Sequence, residues 1–97
     1  MIVTLQEAKE YLRVDFPDED YLVEQFLTTA QKLCMSIARY EDEDAFMADC
    51  LEAKIAILYA TGYLYEHREE ADHHALTLTL RSLLFGTRKS SGMKSRV

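Results

Sequence analysis

A chain of 97 residues has enough material to enclose one hydrophobic core and rarely enough to divide it, so one domain is expected. The composition is 48% hydrophobic and 29% charged with only three Gly and one Pro, which argues against a disordered body and favours helix over a turn-rich β architecture. The net charge of -6 is unevenly placed: residues 1–72 hold all 17 acids, while residues 73–97 hold five bases and no acid. An acidic body repels a phosphate backbone, which disfavours a general nucleic-acid binder, although the basic C-terminal segment escapes that objection.

The first helix is signalled by Thr4-Leu5-Gln6-Glu7, the spacing of a capping box in which a hydroxyl and a carboxylate satisfy each other's backbone amides. Leu5, Ala8, Tyr11 and Leu12 fall on one face of it, and the pattern fades at Arg13. Phe16-Pro17 then breaks the periodicity, because a residue before proline is pushed out of the α region. Asp18-Glu19-Asp20 supplies negative charge for the next helix N-terminus.

A second helix is predicted over residues 19–39, its core stripe being Leu22, Val23, Phe26, Leu27, Ala30, Leu33, Cys34, Ile37 and Ala38 at the helical period. The acidic block Glu41-Asp42-Glu43-Asp44 reads as a solvated loop whose last members cap a third helix over residues 44–69. That helix carries Phe46, Cys50, Ala53, Ile57, Ala60 and Leu64 on one line and becomes apolar nearly all round toward its end. A helix of that kind must be covered on several sides, which points to contact with other subunits. Tyr59, Tyr63 and Tyr65 fit either an interface, where a large apolar ring with a polar tip is favoured, or a core with its hydroxyls at the rim.

A last short helix is predicted from a cap at Thr77 through Phe85, with Leu80, Leu83 and Leu84 inward and Gly86 as the stop. The alternation Leu76-Thr77-Leu78-Thr79-Leu80 leaves a short strand open there. From Thr87 onward, Ser, Gly, Lys and Arg read as a flexible tail. The expected architecture is therefore all-α: a small bundle of two long antiparallel helices and two short ones over residues 1–86, followed by a basic tail over residues 87–97.

No catalytic motif emerges. His67, His73 and His74 lie among carboxylates, but Arg68 and Ala71 occupy the places where an HExxH metal site needs glutamate and histidine, so a solvated helix end is the expected reading. Cys34 and Cys50 both sit on core lines, without a CxxC pair, and read as buried thiols of a reducing cytosol. Gly62, Gly86 and Gly92 are isolated and make no phosphate cradle, and the acidic loop lacks the glycine of an EF-hand. The apolar run from Ile55 to Tyr65 is too short to cross a bilayer. No cofactor, no metal and no enzyme activity are expected.

Taken in order, the segments Leu5-Gln6-Glu7-Ala8-Lys9-Glu10-Tyr11-Leu12-Arg13-Val14-Asp15, Asp18-Glu19-Asp20-Tyr21-Leu22, Tyr63-Leu64-Tyr65-Glu66-His67-Arg68-Glu69-Glu70 and Leu80-Arg81-Ser82-Leu83-Leu84 resemble the head-tail connectors, or head-completion adaptors, of tailed phages and prophages. The resemblance covers nearly the whole chain, each motif being weak and their order carrying it. It implies an all-α structural subunit that joins a dodecameric ring of identical copies on the portal, extends the DNA channel toward a tail-side stopper or tail-completion protein, and catalyses nothing. It places the protein in the virion head-tail joint, and in the bacterial host cytoplasm during assembly. Carried over by position, Leu83, Leu84, Arg88 and Lys89 become candidate portal contacts; Tyr59 and Tyr63, on the apolar third helix, are candidates for contact with partner subunits by their side-chain chemistry.

Two departures from the pattern stand out, a short and very acidic loop before the third helix and no proline ahead of Arg81. An acidic channel wall would keep DNA from adhering as it passes. The competing reading is a small helical regulator that binds DNA or another protein. Against it, the second helix offers only Lys32 and Arg39, and the third only Lys54 and Arg68, where a recognition helix normally carries several bases.

Overall fold

The computed structural model describes residues 1–50, 52–67 and 72–86, which form five α-helices with no strand among the described residues. Helix α1 spans Leu5–Leu12 and α2 spans Asp20–Ala38, with a short 3-10 turn at Pro17–Glu19 between them. Helix α3 spans Glu43–Asp49, α4 spans Ala53–Glu66 and α5 spans His73–Gly86.

The start of α1 follows its capping box: the Glu7 amide donates to Thr4 Oγ1 at 3.1 Å and the Thr4 amide donates to Glu7 Oε1 at 3.0 Å. Helices α1 and α2 end alike. Arg13 and Arg39 adopt left-handed backbone angles (φ 63° and 66°), and the following amides of Val14 and Tyr40 reach back to the carbonyls of Lys9 and Met35 at 3.0 and 2.9 Å. This is the Schellman arrangement, built here with arginine where glycine is usual.

Helix α2 turns its predicted stripe inward, burying Val23, Leu27, Ala30, Cys34 and Ala38 and leaving Leu22, Phe26, Leu33 and Ile37 half-buried at its edges. It runs antiparallel to α4, since Glu19 at its start accepts a hydrogen bond from Tyr65 near the end of α4 and Phe26 meets the Tyr65 ring edge-on at 6.5 Å. One buried position is polar. Gln31 accepts from the Ile2 amide at 2.9 Å and donates to Glu43 at 2.5 Å, so it ties the N-terminal segment and α3 to α2. That tie seats Ile2 and Val3 in the core, although no helical periodicity marks them.

The third helix expected over residues 44–69 is two helices. Cys50 leaves the helical region (φ -107°, ψ 101°) and separates α3 from α4. The apolar line nevertheless survives the break, because Phe46, Cys50, Ala53, Ile57, Ala60 and Leu64 are all buried. A bend at a position that stays in the core preserves the spacing of buried residues, so periodicity could not reveal it. Re-aiming α3 lets Phe46 enter the core beneath Tyr40, ring centroids 5.8 Å apart, while Glu43 reaches Gln31.

Helix α4 is apolar on most sides because it packs most extensively against α2 and also against α1, α3 and α5. The fold itself covers most of the surface from which subunit contact was expected. Ile55, at 55% exposure, is the large aliphatic residue α4 leaves in solvent. Gly62 admits α1: a Cβ there would stand 3.1 Å from the Tyr11 ring and 3.7 Å from Leu12.

Helix α5 begins earlier than expected. Asp72, not Thr77, caps it, its Oδ1 accepting from the amides of His74 and Ala75 at 3.1 Å each. The strand alternative for residues 76–80 does not form, because only a helix can put Leu76, Leu80 and Leu84 on one buried line while Leu78 points outward at 52% exposure. Residues 87–97, predicted as a tail, lie outside the described residues.

Candidate functional site

The tyrosines singled out from the sequence converge on the second half of α4. Tyr59 and Tyr63, one helical turn apart and both half-buried, line a cleft of about 250 Å³ with Tyr11, Gly62, Glu66 and His67. The cleft exists because Gly62 lacks a side chain, so α1 lays Tyr11 across α4 with its ring half in solvent. Helix α1 is held in that position by Lys54, whose ammonium lies 2.9 Å from Glu7, and by Lys9, 2.6 Å from Asp20.

Tyr63 also has a structural task. Its hydroxyl accepts from the Asp72 amide at 3.2 Å, which clasps the start of α5 to α4, and its ring stacks on His67 with centroids 4.2 Å apart. His67 Nδ1 lies 3.0 Å from the Tyr63 carbonyl oxygen. Tyr11 and Glu66 complete the cleft and were missed as site residues. The signal for them was slight, a glycine inside an otherwise apolar helix, which marks a close approach only once its neighbour is known.

The candidate portal contacts separate. Leu83 is half-buried on the flank of α5, whereas Leu84 is 0% exposed and anchors α5 to the core, so it offers no surface in this conformation. Arg88 and Lys89 lie outside the described residues.

The acidic block is partly structural. Asp42 Oδ2 accepts from the Ala45 amide at 3.0 Å and starts α3, and Glu43 is engaged by Gln31; Glu41 and Asp44 remain exposed. Glu41 borders a shallow depression of about 490 Å³ on the outer end of α2 with Lys32, Met35, Ser36, Arg39 and Tyr40. Two cations there, with Lys54 and Lys9 already paired to carboxylates, fall short of a recognition face for duplex DNA.

Cys34 and Cys50 are both buried thiols without a disulfide, and burial pushes the Cys34 thiol up to about 12, opposite to what a nucleophile needs. Among the described residues no group of three His, Cys, Asp or Glu side chains could hold a metal ion. No described helix is long and apolar enough to cross a membrane.

Compared with known families, the chain matches the model of the Phage gp6-like head-tail connector protein family over residues 2–94. Neither the curated proteins nor the solved structures gave a match.

Proposed function

Because the chain belongs to the Phage gp6-like head-tail connector protein family, we propose that it works as a ring-forming adaptor seated on the portal, extending the DNA channel toward the tail-side stopper or tail-completion protein. The observation that carries this reading is the extent of the family match, which runs from the buried N-terminal segment through all five helices into the basic end of the chain. It is the whole helical unit, rather than one amphipathic helix, that is shared.

The surface supports a protein-docking role. Phe16, Tyr21, Met47, Ile55 and Leu78 are large apolar side chains about half or more exposed, and they come from different parts of the fold. Several such sites suit a subunit touched on two flanks by sister copies and at its ends by other proteins, as heterologous ring contacts require. Leu83, Arg88 and Lys89 form the portal-facing part of this proposal, with Leu84 fixing α5 from beneath. Tyr59 and Ile55 lie on the flank assigned to neighbouring copies. The ring, dodecameric on the portal, places the protein in the head-tail joint of the virion after assembly in the bacterial host cytoplasm.

Co-expression with a portal protein of a tailed phage, followed by native mass measurement and negative-stain imaging, tests the assignment. Closed rings, or a fixed number of copies seated on the portal, are the expected result. A chain that stays monomeric at high concentration and also ignores the portal would remove the proposal.

A further inference from the structure

Two flanks of the bundle face opposite ways. Helices α2 and α4 pack on each other more extensively than any other pair, so the side that each leaves in solvent points away from the other. On α4 that side carries Ile55 and the cleft in which the rings of Tyr11, Tyr59 and Tyr63 surround Gly62, with Glu66 exposed at the rim. On α2 it carries Tyr21, at 76% the most exposed large hydrophobic side chain among the described residues, followed by the exposed Gln25, Thr28, Thr29 and Ser36. Only Glu24, Lys32 and Arg39 are charged between Tyr21 and Arg39, in a chain that is 29% charged. Exposed tyrosine with sparse charge is the composition of a protein interface.

The two flanks also match level by level. Tyr65 donates to Glu19 at one end of the antiparallel pair, and Tyr40 donates to Asp49 at 2.7 Å at the other. Tyr21 therefore stands at the level of Tyr63 and the cleft, while Lys32, Ser36 and Arg39 stand at the level of Glu52 and Ile55 near the start of α4. The cleft, about 250 Å³, suits one aromatic side chain rather than a folded partner. The Tyr21 hydroxyl accepts from Gln25 Nε2 at 2.9 Å and keeps its own proton to donate to a carboxylate such as Glu66. Aromatic rings attract one another edge-on or offset, so a fourth ring among the three is favoured. Among the described residues no ion pair engages Lys32, Arg39, Glu52 or Glu66, which leaves the cations of one flank and the carboxylates of the other complementary.

We propose that sister copies meet head to tail through these two flanks, the Tyr21 side chain of one copy seated in the Tyr11, Tyr59 and Tyr63 cleft of the next, with Lys32 and Arg39 set against its Glu52. The inference rests on the ring-forming reading and names the surfaces that make the ring. A contact between two different faces repeats around a closed ring, as heterologous interfaces do. Rotation about an axis along α2 and α4 keeps each residue at its level, so the match within one subunit carries over between neighbours.

Exposed positions beside the anchors test this. Ser36 and Ile55 lie on opposite flanks at neighbouring levels and belong to none of the proposed pairs. Ser36→Cys and Ile55→Cys together in one full-length chain therefore report the contact without removing it. Native mass measurement first identifies the assembled state, free or seated on a portal protein of a tailed phage. Mild oxidation of that state is expected to give a ladder of covalently linked chains, and either cysteine alone gives none, since Cys34 and Cys50 are buried. Tyr21→Ser is expected to weaken assembly by roughly tenfold or more and to leave the melting temperature of the single chain unchanged, because that ring stands in solvent there. Three results overturn the proposal and spare the ring: assembly without a ladder, linked dimers from one cysteine alone, the mark of a two-fold contact, or full assembly of Tyr21→Ser. A chain that never assembles, with or without the portal, removes the ring and this contact together.

Discussion

Replacing Leu84 by alanine separates a core anchor from a surface contact. Leu84 is wholly enclosed and shares its line on α5 with Leu76 and Leu80, also wholly or almost wholly buried. Leu83, its neighbour, is only half-buried. Truncating an enclosed leucine removes transfer free energy and leaves a cavity, at a cost of about 2–5 kcal/mol. A domain of this size has roughly 5–15 kcal/mol in total, so Leu84→Ala should consume a large part of the stability. At about 3 kcal/mol the melting temperature falls by roughly 12–24 °C. Leu83→Ala should cost about 1 kcal/mol, in line with its partial burial. Denaturant titrations followed by far-UV circular dichroism measure both. If Leu84→Ala costs less than about 1 kcal/mol, or no more than Leu83→Ala, then α5 does not dock through this face, and the assignment of Leu84 to the core is wrong.

Arg39→Gly should stabilise the protein by about 0.5–1 kcal/mol in the same titrations, because a side chain at φ 66° is disfavoured in a conformation glycine adopts freely. Gln31→Leu should destabilise by about 1–3 kcal/mol, since it leaves the buried Ile2 amide without its acceptor; hydrogen exchange at that amide should accelerate. The Glu7 carboxyl is held below 4.5, first by the Thr4 amide and then by Lys54. Its contribution is therefore present above the unfolded value of 4.5 and lost as pH falls through the lower folded value. Glu7→Gln should flatten the acid limb of the stability profile in that window. The Cys34 thiol, raised to about 12 by burial, should resist alkylation at pH 8 in the native protein and react on addition of denaturant, which mass spectrometry of the modified chain would follow.

The legible parts of this chain were those whose cause is local. The capping box at Thr4 and Glu7 formed as its spacing required, because both partners lie within one turn. The stripe of α2 was buried as predicted, since a sustained 3.6-residue period has one way of hiding itself. The end of α1 at Arg13 and of α2 at Arg39 came within a residue of expectation, even though neither C-terminus carries the glycine that usually announces it. Helix α5 was misread at its start because Asp72 and Thr77 are both good caps, and the choice between them depends on Tyr63 clasping Asp72.

The candidate cleft was half visible. Tyr59 and Tyr63 were singled out as interface tyrosines, but Tyr11 is distant in sequence, and only the approach of α1 over Gly62 brings the three rings together. Leu84 was placed inward by periodicity and outward by family position, and packing decided for the former.

By itself, the amino-acid sequence determined that this protein is all-helical, where most helices start and stop, which faces are apolar, and that its acids and bases are segregated along the chain. Those properties arise from neighbours within a few positions, where spacing and side-chain chemistry act directly. The break at Cys50, the tie from Gln31 to Ile2 and Glu43, the packing of α4 against four other helices and the cleft at Gly62 were decided only in the tertiary structure. Each depends on which helices meet, and a meeting between distant segments leaves no period for local pattern to record.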